Sequence, residues 1–187
     1  MNVRMIIGLV GENGAGKGTI AKHLENEHNF KHVSTGNIVR EYTIKLNGSE
    51  GDRKLQQKVG IDLRKKHGTR FLVKEALRNN NERLVISGLR HPDEVRAIKA
   101  THGVILYVTA SAKNRYKRIK DRDSTRDKLN FKTFLEQESF ESGNYDVFAQ
   151  HLDTVIGMHD VKIVNNAKED DLYNKVKDFL NDYFPLD

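Results

Sequence analysis

One stretch near the N-terminus combines glycines, a lysine and a hydroxyl side chain at a spacing that suits phosphate binding. An apolar run over 5–10 precedes it, and a helix-like stretch with Ile20, Ala21 and Leu24 follows. Between a strand and a helix, glycines let backbone N–H groups approach phosphates, while the helix N-terminus and a lysine add positive charge. The sequence therefore predicts a nucleotide-phosphate loop formed by Gly11, Glu12, Asn13, Gly14, Ala15, Gly16, Lys17, Gly18 and Thr19.

The residue after the lysine departs from the commonest form of this loop. Gly18 stands where a hydroxyl that ligates Mg²⁺ is usual, and the hydroxyl follows at Thr19. GTPases and motor-type ATPases rely on a hydroxyl directly after the lysine, so they fit poorly. The G-x-G-K-G-T pattern instead resembles the loop of adenylate kinases and related nucleoside monophosphate kinases, in which water largely holds Mg²⁺. This resemblance implies ATP and Mg²⁺ as cofactors, with Lys17 on the outer phosphates and Thr19 as the metal candidate.

A second candidate site follows the predicted strand 31–34. The turn Ser34-Thr35-Gly36 precedes Arg40, and arginine offers a bidentate fork that suits phosphate. The segment closely resembles the H-x-S-T-G-D-x-x-R run of adenylate kinases, with Asn37 in place of the usual aspartate. By that resemblance Thr35 and Gly36 face the base of an acceptor nucleotide and Arg40 binds its phosphate. A helix cap followed by a surface arginine is the alternative, which the spacing after the glycine loop disfavours.

The end of the predicted strand 83–87 resembles the D-G-x-x-R element of the same kinases, which places a second acceptor-site arginine. By this resemblance Arg90 is a phosphate ligand of the acceptor. Ser87 stands where the family has aspartate, which leaves open how Mg²⁺ is anchored. The surrounding run also resembles archaeal adenylate-kinase-related proteins.

Three arginines near the middle of the chain, Arg115, Arg118 and Arg122, repeat at helical spacing and share one face. A solvated basic helix is one interpretation of such a run. The resemblance implies another: Arg118 and Arg122 stabilise the transferring phosphoryl group, and Arg126 reaches it from a short lid over 123–130.

Near the end of the chain, a pattern similar to that of dephospho-CoA kinases places Asn165 beside the donor adenine. A turn-forming role is the alternative, since asparagine favours turns.

Composition narrows the class of protein. A chain of 187 residues that are 37% hydrophobic suits a single domain, 1–187, and the absence of cysteine excludes disulfides and thiol catalysis. The net charge of +6 favours anionic ligands, but the basic residues are interspersed with 26 acidic ones, so we do not expect nucleic acid as the main partner. The apolar runs are too short for a membrane span, and we expect a cytoplasmic monomer that binds a small nucleotide acceptor.

The predicted strands 4–10, 31–34, 83–87, 103–109 and 161–165 alternate with helical stretches, which is typical of a parallel sheet covered by helices. We predict a helix start at Pro92, a helix cap at Ser111 and a closing amphipathic helix near 172–183. A helical segment over 36–80 overhangs the site, because such sheets bind ligands beyond the strand C-terminal ends. The resemblance implies a three-layer α/β P-loop kinase fold in which this segment binds the acceptor.

Together these features predict a phosphotransferase that moves the γ-phosphoryl group of ATP to a nucleoside monophosphate. Such an acceptor needs no general base, because its phosphate is already ionised at neutral pH. A dephospho-CoA-kinase-like enzyme is one alternative, although that chemistry prefers a carboxylate where this chain has Ser34-Thr35-Gly36. A nucleotide-binding regulatory ATPase is the other, since fold alone does not decide function.

Overall fold

A computed structural model describes residues 4–78, 81–121, 130–142 and 147–185 of the chain. Its centre is a five-stranded sheet in the order β2-β3-β1-β4-β5, and every pair of neighbouring strands is parallel. The strands are β1 Met5–Val10, β2 Lys31–Ser34, β3 Arg83–Ser87, β4 Val104–Thr109 and β5 Val161–Val164. Each lies within one residue of its predicted bounds, so the predicted fold class is confirmed.

Helices connect and cover the strands. Within the described ranges they are α1 Lys17–His28, α2 Thr35–Asn47, α3 Arg53–His67, α4 Phe71–Leu77, α5 Pro92–Lys99, α6 Ala112–Lys120, α7 Phe131–Ser142, α8 Leu152–Gly157 and α9 Glu169–Tyr183. The start of α5 at Pro92 is the predicted one, and the Ser111 side chain caps α6 by accepting from Asn114 N. The last helix begins at Glu169, three residues before the predicted periodic run.

The core has two layers around the sheet because β1, β3 and β4 are apolar on both faces. On one face, α1 and α9 bury Leu24, Val176 and Phe179 against β1 and β4. On the other, α4, α5 and α8 bury Val73, Ile98 and Val155. The fold therefore has three layers, with the sheet between two layers of helices.

The segment between β2 and β3 has a small core of its own. It contains α2, α3 and α4, the part of the chain predicted as a helical segment over 36–80. The buried side chains of this small core are Val39, Val59, Leu63 and Leu72, whereas Val73 and Ala76 of α4 are buried in the core beside the sheet. The predicted lid over 123–130 lies outside the described residues except for Asn130.

The parallel sheet brings the candidate loops to one edge. Leu9 and Ser34 both pair with Ser87, and Val10 pairs with Tyr107, so β1 to β4 end almost level with one another. The loops that follow these strands carry the predicted site residues. This is the edge at which open α/β sheets bind ligands.

Candidate nucleotide-binding and acceptor site

The glycine loop after β1 depends on glycine at three positions. Gly11, Gly14 and Gly16 have φ angles of 134°, 76° and 111°, a region that side chains disfavour. A Cβ at Gly11 would lie 2.0 Å from Val108 O, and one at Gly16 would lie 2.3 Å from Asn165 Nδ2. At these positions no side chain covers the backbone, so a phosphate could approach the loop N–H groups closely. Gly18 differs, because a Cβ there would meet nothing within 4 Å.

The lysine of this loop opens α1. Gly16 caps the helix in a left-handed conformation without a side-chain hydrogen bond to its first turn, so the first N–H groups of α1 face the loop. Lys17 Nζ donates to Gly11 O and Glu12 O, both at 2.7 Å, and its side chain is half-buried. The ammonium therefore lies over the loop, next to the N–H groups that would hold a phosphate. These features fit the triphosphate of ATP.

Two predicted site residues, Asn165 and Arg118, contact the backbone carbonyls of the glycine loop. Asn165 Nδ2 donates to Ala15 O at 2.9 Å. Arg118 Nη2 donates to Asn165 O at 2.9 Å, while its Nη1 lies 3.4 Å from both Gly14 O and Ala15 O. Burial lowers the pKa of the Arg118 guanidinium, which nevertheless has carbonyl partners. Both side chains contact loop backbone, so Asn165 does more than form a turn.

The solvated-face interpretation of the arginine run is wrong for Arg115. This side chain is buried, its Nε donates to Ala110 O at 2.9 Å, and its guanidinium forms an ion pair with Glu138. It also lies over the Phe134 ring, 5.6 Å from the centroid. Arg122 and Arg126 fall outside the described residues, so their assignment to the transferring phosphoryl group stays a prediction.

Glu12 contributes a carboxylate to the loop. Its Oε1 accepts from Tyr107 Oη at 2.8 Å and Thr109 Oγ1 at 3.3 Å, whereas Oε2 is buried and has no hydrogen-bond partner among the described residues. Burial raises the pKa of Tyr107, so the phenol keeps the proton that it donates. The unbonded Oε2 is an oxygen that a cation or a phosphate-bound water would satisfy.

Metal binding at this loop would rest on few protein ligands. The described part of the chain contains no group of three or more His, Cys, Asp or Glu side chains suited to a metal ion. Mg²⁺ usually keeps several waters and binds substrate phosphates with one or two protein oxygens. The half-buried Thr19, in the first turn of α1, and Glu12 fit that limited demand.

The end of β3 holds a neutral pair where the resemblance suggested an aspartate. Ser87 Oγ lies 2.8 Å from His32 Nε2, and His32 N donates to Glu25 Oε1 at 3.0 Å. Burial is the main reason that the pKa of His32 lies below its ordinary value, so the ring is neutral near pH 7. Ser87 and His32 therefore provide no carboxylate for Mg²⁺.

A cavity of about 170 Å³ opens beyond β2 and β3. It brings together three predicted acceptor residues, Thr35, Gly36 and Arg90. Thr35 Oγ1 donates to Gly88 O at 2.7 Å, which ties the end of β2 to the turn after β3. Arg40 does not line the cavity: one turn further along α2, its Nη1 donates to Asn37 Oδ1 at 3.1 Å and its Nε lies 3.6 Å from Glu50 Oε2.

A buried ion pair that no sequence pattern predicts lies at this cavity. Arg64 of α3, which is 3% exposed, lines the cavity and donates to Glu94 Oε1 through Nε at 3.2 Å and Nη2 at 2.9 Å. Glu94 Oε2 accepts from Arg90 N at 2.8 Å and His91 N at 3.0 Å. Glu94 lies in the first turn of α5, whose start at Pro92 is predicted, but no local pattern indicates a partner 30 residues away in the chain.

Comparison with known proteins assigns the family. The AAA_18 family, described as an AAA domain, matches residues 7–146, three quarters of the chain. The chain belongs to the AAA_18 family. This AAA_18 protein is 30% identical over 136 residues to a UPF0200 protein of Pyrobaculum aerophilum, covering 70% of this chain and 73% of the relative. A UPF0200 protein of Staphylothermus marinus is 27% identical over 182 residues, which are 94% of this chain and 90% of the relative.

Kinases also resemble the AAA_18 protein. An adenylate kinase of Francisella philomiragia is 51% identical over 47 residues, covering 25% of this chain and 21% of the kinase. Among solved structures, the shikimate kinase of Acinetobacter baumannii in complex with shikimate has a TM-score of 0.58 at 16% identity, covering 95% of this chain and 93% of the kinase. That of Bacteroides thetaiotaomicron has a TM-score of 0.60 at 15% identity, with coverages of 95% and 98%. The fold is that of a P-loop kinase.

These relationships confirm the adenylate-kinase-like family and support nucleotide phosphotransfer of the P-loop kinase type. They leave the acceptor open, because UPF0200 names no activity and the shikimate kinases share only the fold. No helix in the described ranges is both long and apolar enough to cross a membrane.

Proposed function

We propose that this AAA_18 protein transfers the γ-phosphoryl group of ATP to a nucleoside monophosphate. One observation carries the proposal: the glycine loop after β1 and the cavity beyond β3 follow neighbouring parallel strands that end at the same sheet edge. A donor triphosphate on the loop would thus lie beside an acceptor in the cavity. Proteins accelerate phosphoryl transfer by holding the two reactants in position and by stabilising the developing charge.

The residues around the cavity favour an acceptor that is itself a phosphate. Arg90 lines the cavity, and Arg40 lies one helical turn beyond Gly36; in this proposal both guanidiniums bind the phosphate end of the acceptor. The Thr35 hydroxyl already donates its proton to Gly88 O and is no base. A phosphate acceptor needs none, since it is ionised at neutral pH, whereas a hydroxyl acceptor would need a proton removed.

The chain's own residues then have distinct tasks. Lys17, now on Gly11 O and Glu12 O, would move to the outer phosphates of ATP, while Arg118 and Asn165 hold the loop in shape. Mg²⁺, when bound, would neutralise charge on the phosphates. Arg122 and Arg126 would stabilise the charge of the transferring group and exclude water by closure.

The purified chain tests this directly. We would incubate it with ATP and Mg²⁺ and with each common nucleoside monophosphate, dephospho-CoA or shikimate, or with no acceptor, and separate the products chromatographically. We expect a nucleoside diphosphate product that the Lys17→Ala variant does not form. Phosphorylation of dephospho-CoA or shikimate alone would make the protein a hydroxyl kinase, and ATP hydrolysis that is indifferent to every acceptor would make it an ATPase.

A second comparison tests the arginine that follows α6. Arg122→Ala should lower kcat about 100-fold with little change in either KM, the scale of one preorganised donor acting in the transition state. Arg115 is unsuitable as the control because it is buried and paired with Glu138, whereas Lys120 is exposed on the last turn of α6. Equal kcat values in Arg122→Ala and Lys120→Ala would remove Arg122 from the mechanism.

A further inference from the structure

The ion pair between Arg64 and Glu94 has a donor group directed at the acceptor cavity. Arg64 uses Nε and Nη2 on Glu94 Oε1, and its Nη1 makes no hydrogen bond to any described residue. Nη1 lies beside Gly60, where an added Cβ would be 3.7 Å away. Gly60 and Arg64 both line the cavity, so the missing side chain at Gly60 exposes the Nη1 N–H groups to it.

The pair is unsuited to binding the phosphate of the acceptor. The Arg64 side chain is 3% exposed and that of Glu94 is 0% exposed. Since water does not reach the pair, the two charges compensate each other. A second anion at Arg64 would compete with Glu94 for the same guanidinium, and a carboxylate left buried without its partner is strongly disfavoured. What the pair offers the cavity is hydrogen-bond donors without net charge, which suits a neutral part of a ligand.

The size of the cavity indicates which neutral part of a nucleotide would occupy it. Its volume of about 170 Å³ is below the roughly 300–1,000 Å³ of pockets that take a whole small molecule. Val39 and Leu72 provide apolar walls, which suit a flat ring. A base fits these dimensions, with the ribose and phosphate outside, towards Arg90 and Arg40.

We propose that Arg64 selects the acceptor by its base and favours a 6-oxopurine monophosphate over an adenine one. The proposal rests on the assignment of this cavity to a nucleoside monophosphate. A guanidinium offers only donors, and guanine presents two adjacent acceptors, O6 and N7, to which the N–H groups of Arg64 Nη1 would donate. Adenine has an amino group in place of O6, so its N–H donors would face the N–H donors of Arg64 and no hydrogen bond could form there. Glu94 cannot compensate, because both its oxygens already accept hydrogen bonds from Arg64, Arg90 N and His91 N.

Equilibrium binding to the full chain, measured by calorimetry, tests the selection without needing turnover. We would titrate GMP, IMP, AMP, UMP and the monophosphate of 2-aminopurine riboside, which keeps the amino group of guanine but lacks O6. GMP and IMP should bind at least about tenfold more tightly than AMP and the 2-aminopurine nucleotide, a difference of about 1.4 kcal/mol.

Gly60→Ala isolates the Arg64 contact. The new methyl would lie 3.6 Å from Val39 Cγ2 and 3.7 Å from Arg64 Nη1, ordinary contact distances, so it covers Nη1 without displacing its neighbours. Alanine also favours an α-helix over glycine, so the urea midpoint should hold or rise. We expect GMP and IMP affinity to fall about tenfold and AMP affinity by less than about threefold. Gly157→Ala in α8, where a Cβ meets nothing within 4 Å, is the control and should leave the affinities for GMP, IMP and AMP unchanged.

Each outcome separates the base selection from the proposed function. GMP binding that depends on Gly60, without any diphosphate product, would support the selection and overturn the kinase activity. Phosphorylation of AMP or UMP in preference to GMP would support the kinase and overturn the selection. Equal loss of GMP and AMP affinity in Gly60→Ala would mean that the methyl merely blocks the cavity, and would also overturn the selection. A chain that binds no monophosphate overturns both proposals.

Discussion

A double-mutant cycle on Gly16 and Asn165 tests the support behind the glycine loop. Gly16→Ala places a methyl 2.3 Å from Asn165 Nδ2 and puts alanine at a φ of 111°. The backbone strain alone costs about 1–3 kcal/mol of unfolding free energy, and the collision adds to it. Asn165→Ala removes the hydrogen bond to Ala15 O from a side chain that is 7% exposed, at a cost of about 1–3 kcal/mol.

Together the two substitutions should cost less than the sum of the single ones. Once the Asn165 amide is gone, the methyl at residue 16 has room and only the φ strain remains. We expect a coupling of about 1–2 kcal/mol in the favourable direction, within the 0.5–3 kcal/mol seen for residues in contact. Urea unfolding of the four proteins measures it, with unchanged m-values as the check that the denatured state is unaffected.

Gly11→Ala is the matched control. Its methyl would lie 2.0 Å from the backbone atom Val108 O, which no side-chain truncation moves. Gly11→Ala and Asn165→Ala should therefore add to within about 0.5 kcal/mol. Equal additivity of Gly16→Ala and Asn165→Ala would show that the Asn165 amide does not collide with a methyl at residue 16, and would contradict this prediction. ATP affinity, measured on the same proteins, should fall in the variants that carry Gly16→Ala and change less in Asn165→Ala alone.

Three further predictions concern single side chains. Lys17→Ala should lower turnover by more than tenfold, about 1.4 kcal/mol of barrier, in a coupled assay while the melting curve stays two-state, and retained activity would contradict its assignment to the phosphates. Arg40→Ala should raise the KM for the acceptor and leave that for ATP unchanged, so a selective loss of ATP affinity would reverse the two sites. Because burial lowers the pKa of His32, the unfolded chain binds more protons below about pH 6.5, and stability should fall as the pH drops from 7 towards 5. His32→Gln should flatten this slope in urea midpoints, apart from the part due to His28, whose pKa burial also lowers, and an unchanged slope would exclude His32 as its origin.

Local patterns in the sequence were enough to predict the sheet and the glycine loop. A strand buried on both faces is a continuous apolar run, as in Val104–Thr109, and needs no knowledge of its neighbours. The helix start at Pro92 and the cap at Ser111 are equally local, because each depends on residues within one turn. Because the strands are parallel, the loops that follow them, which carry the predicted site residues, must lie together at the C-terminal edge of the sheet.

Contacts between distant residues could not be predicted in this way. The charge run around α6 gave Arg115 and Arg118 the same pattern, yet Arg115 is buried against Glu138 of α7 and Arg118 lies on the loop backbone. Arg64 stands in a basic stretch that includes Lys65 and Lys66, and nothing in its spacing marks it as the one that pairs with Glu94. Burial, which depends on how helices dock, decides between these outcomes.

The Arg64–Glu94 pair also links the small core of α2 and α3 to the helices that cover the sheet. Arg64 belongs to the α2–α4 segment with its own small core, and Glu94 belongs to α5, which packs on the sheet. Separating a buried pair so that one charge is left alone costs about 3–5 kcal/mol. A rotation of α2 and α3 away from the sheet that kept this pair intact would need its axis close to Arg64, so the guanidinium would stay in place while the rim of the cavity opened.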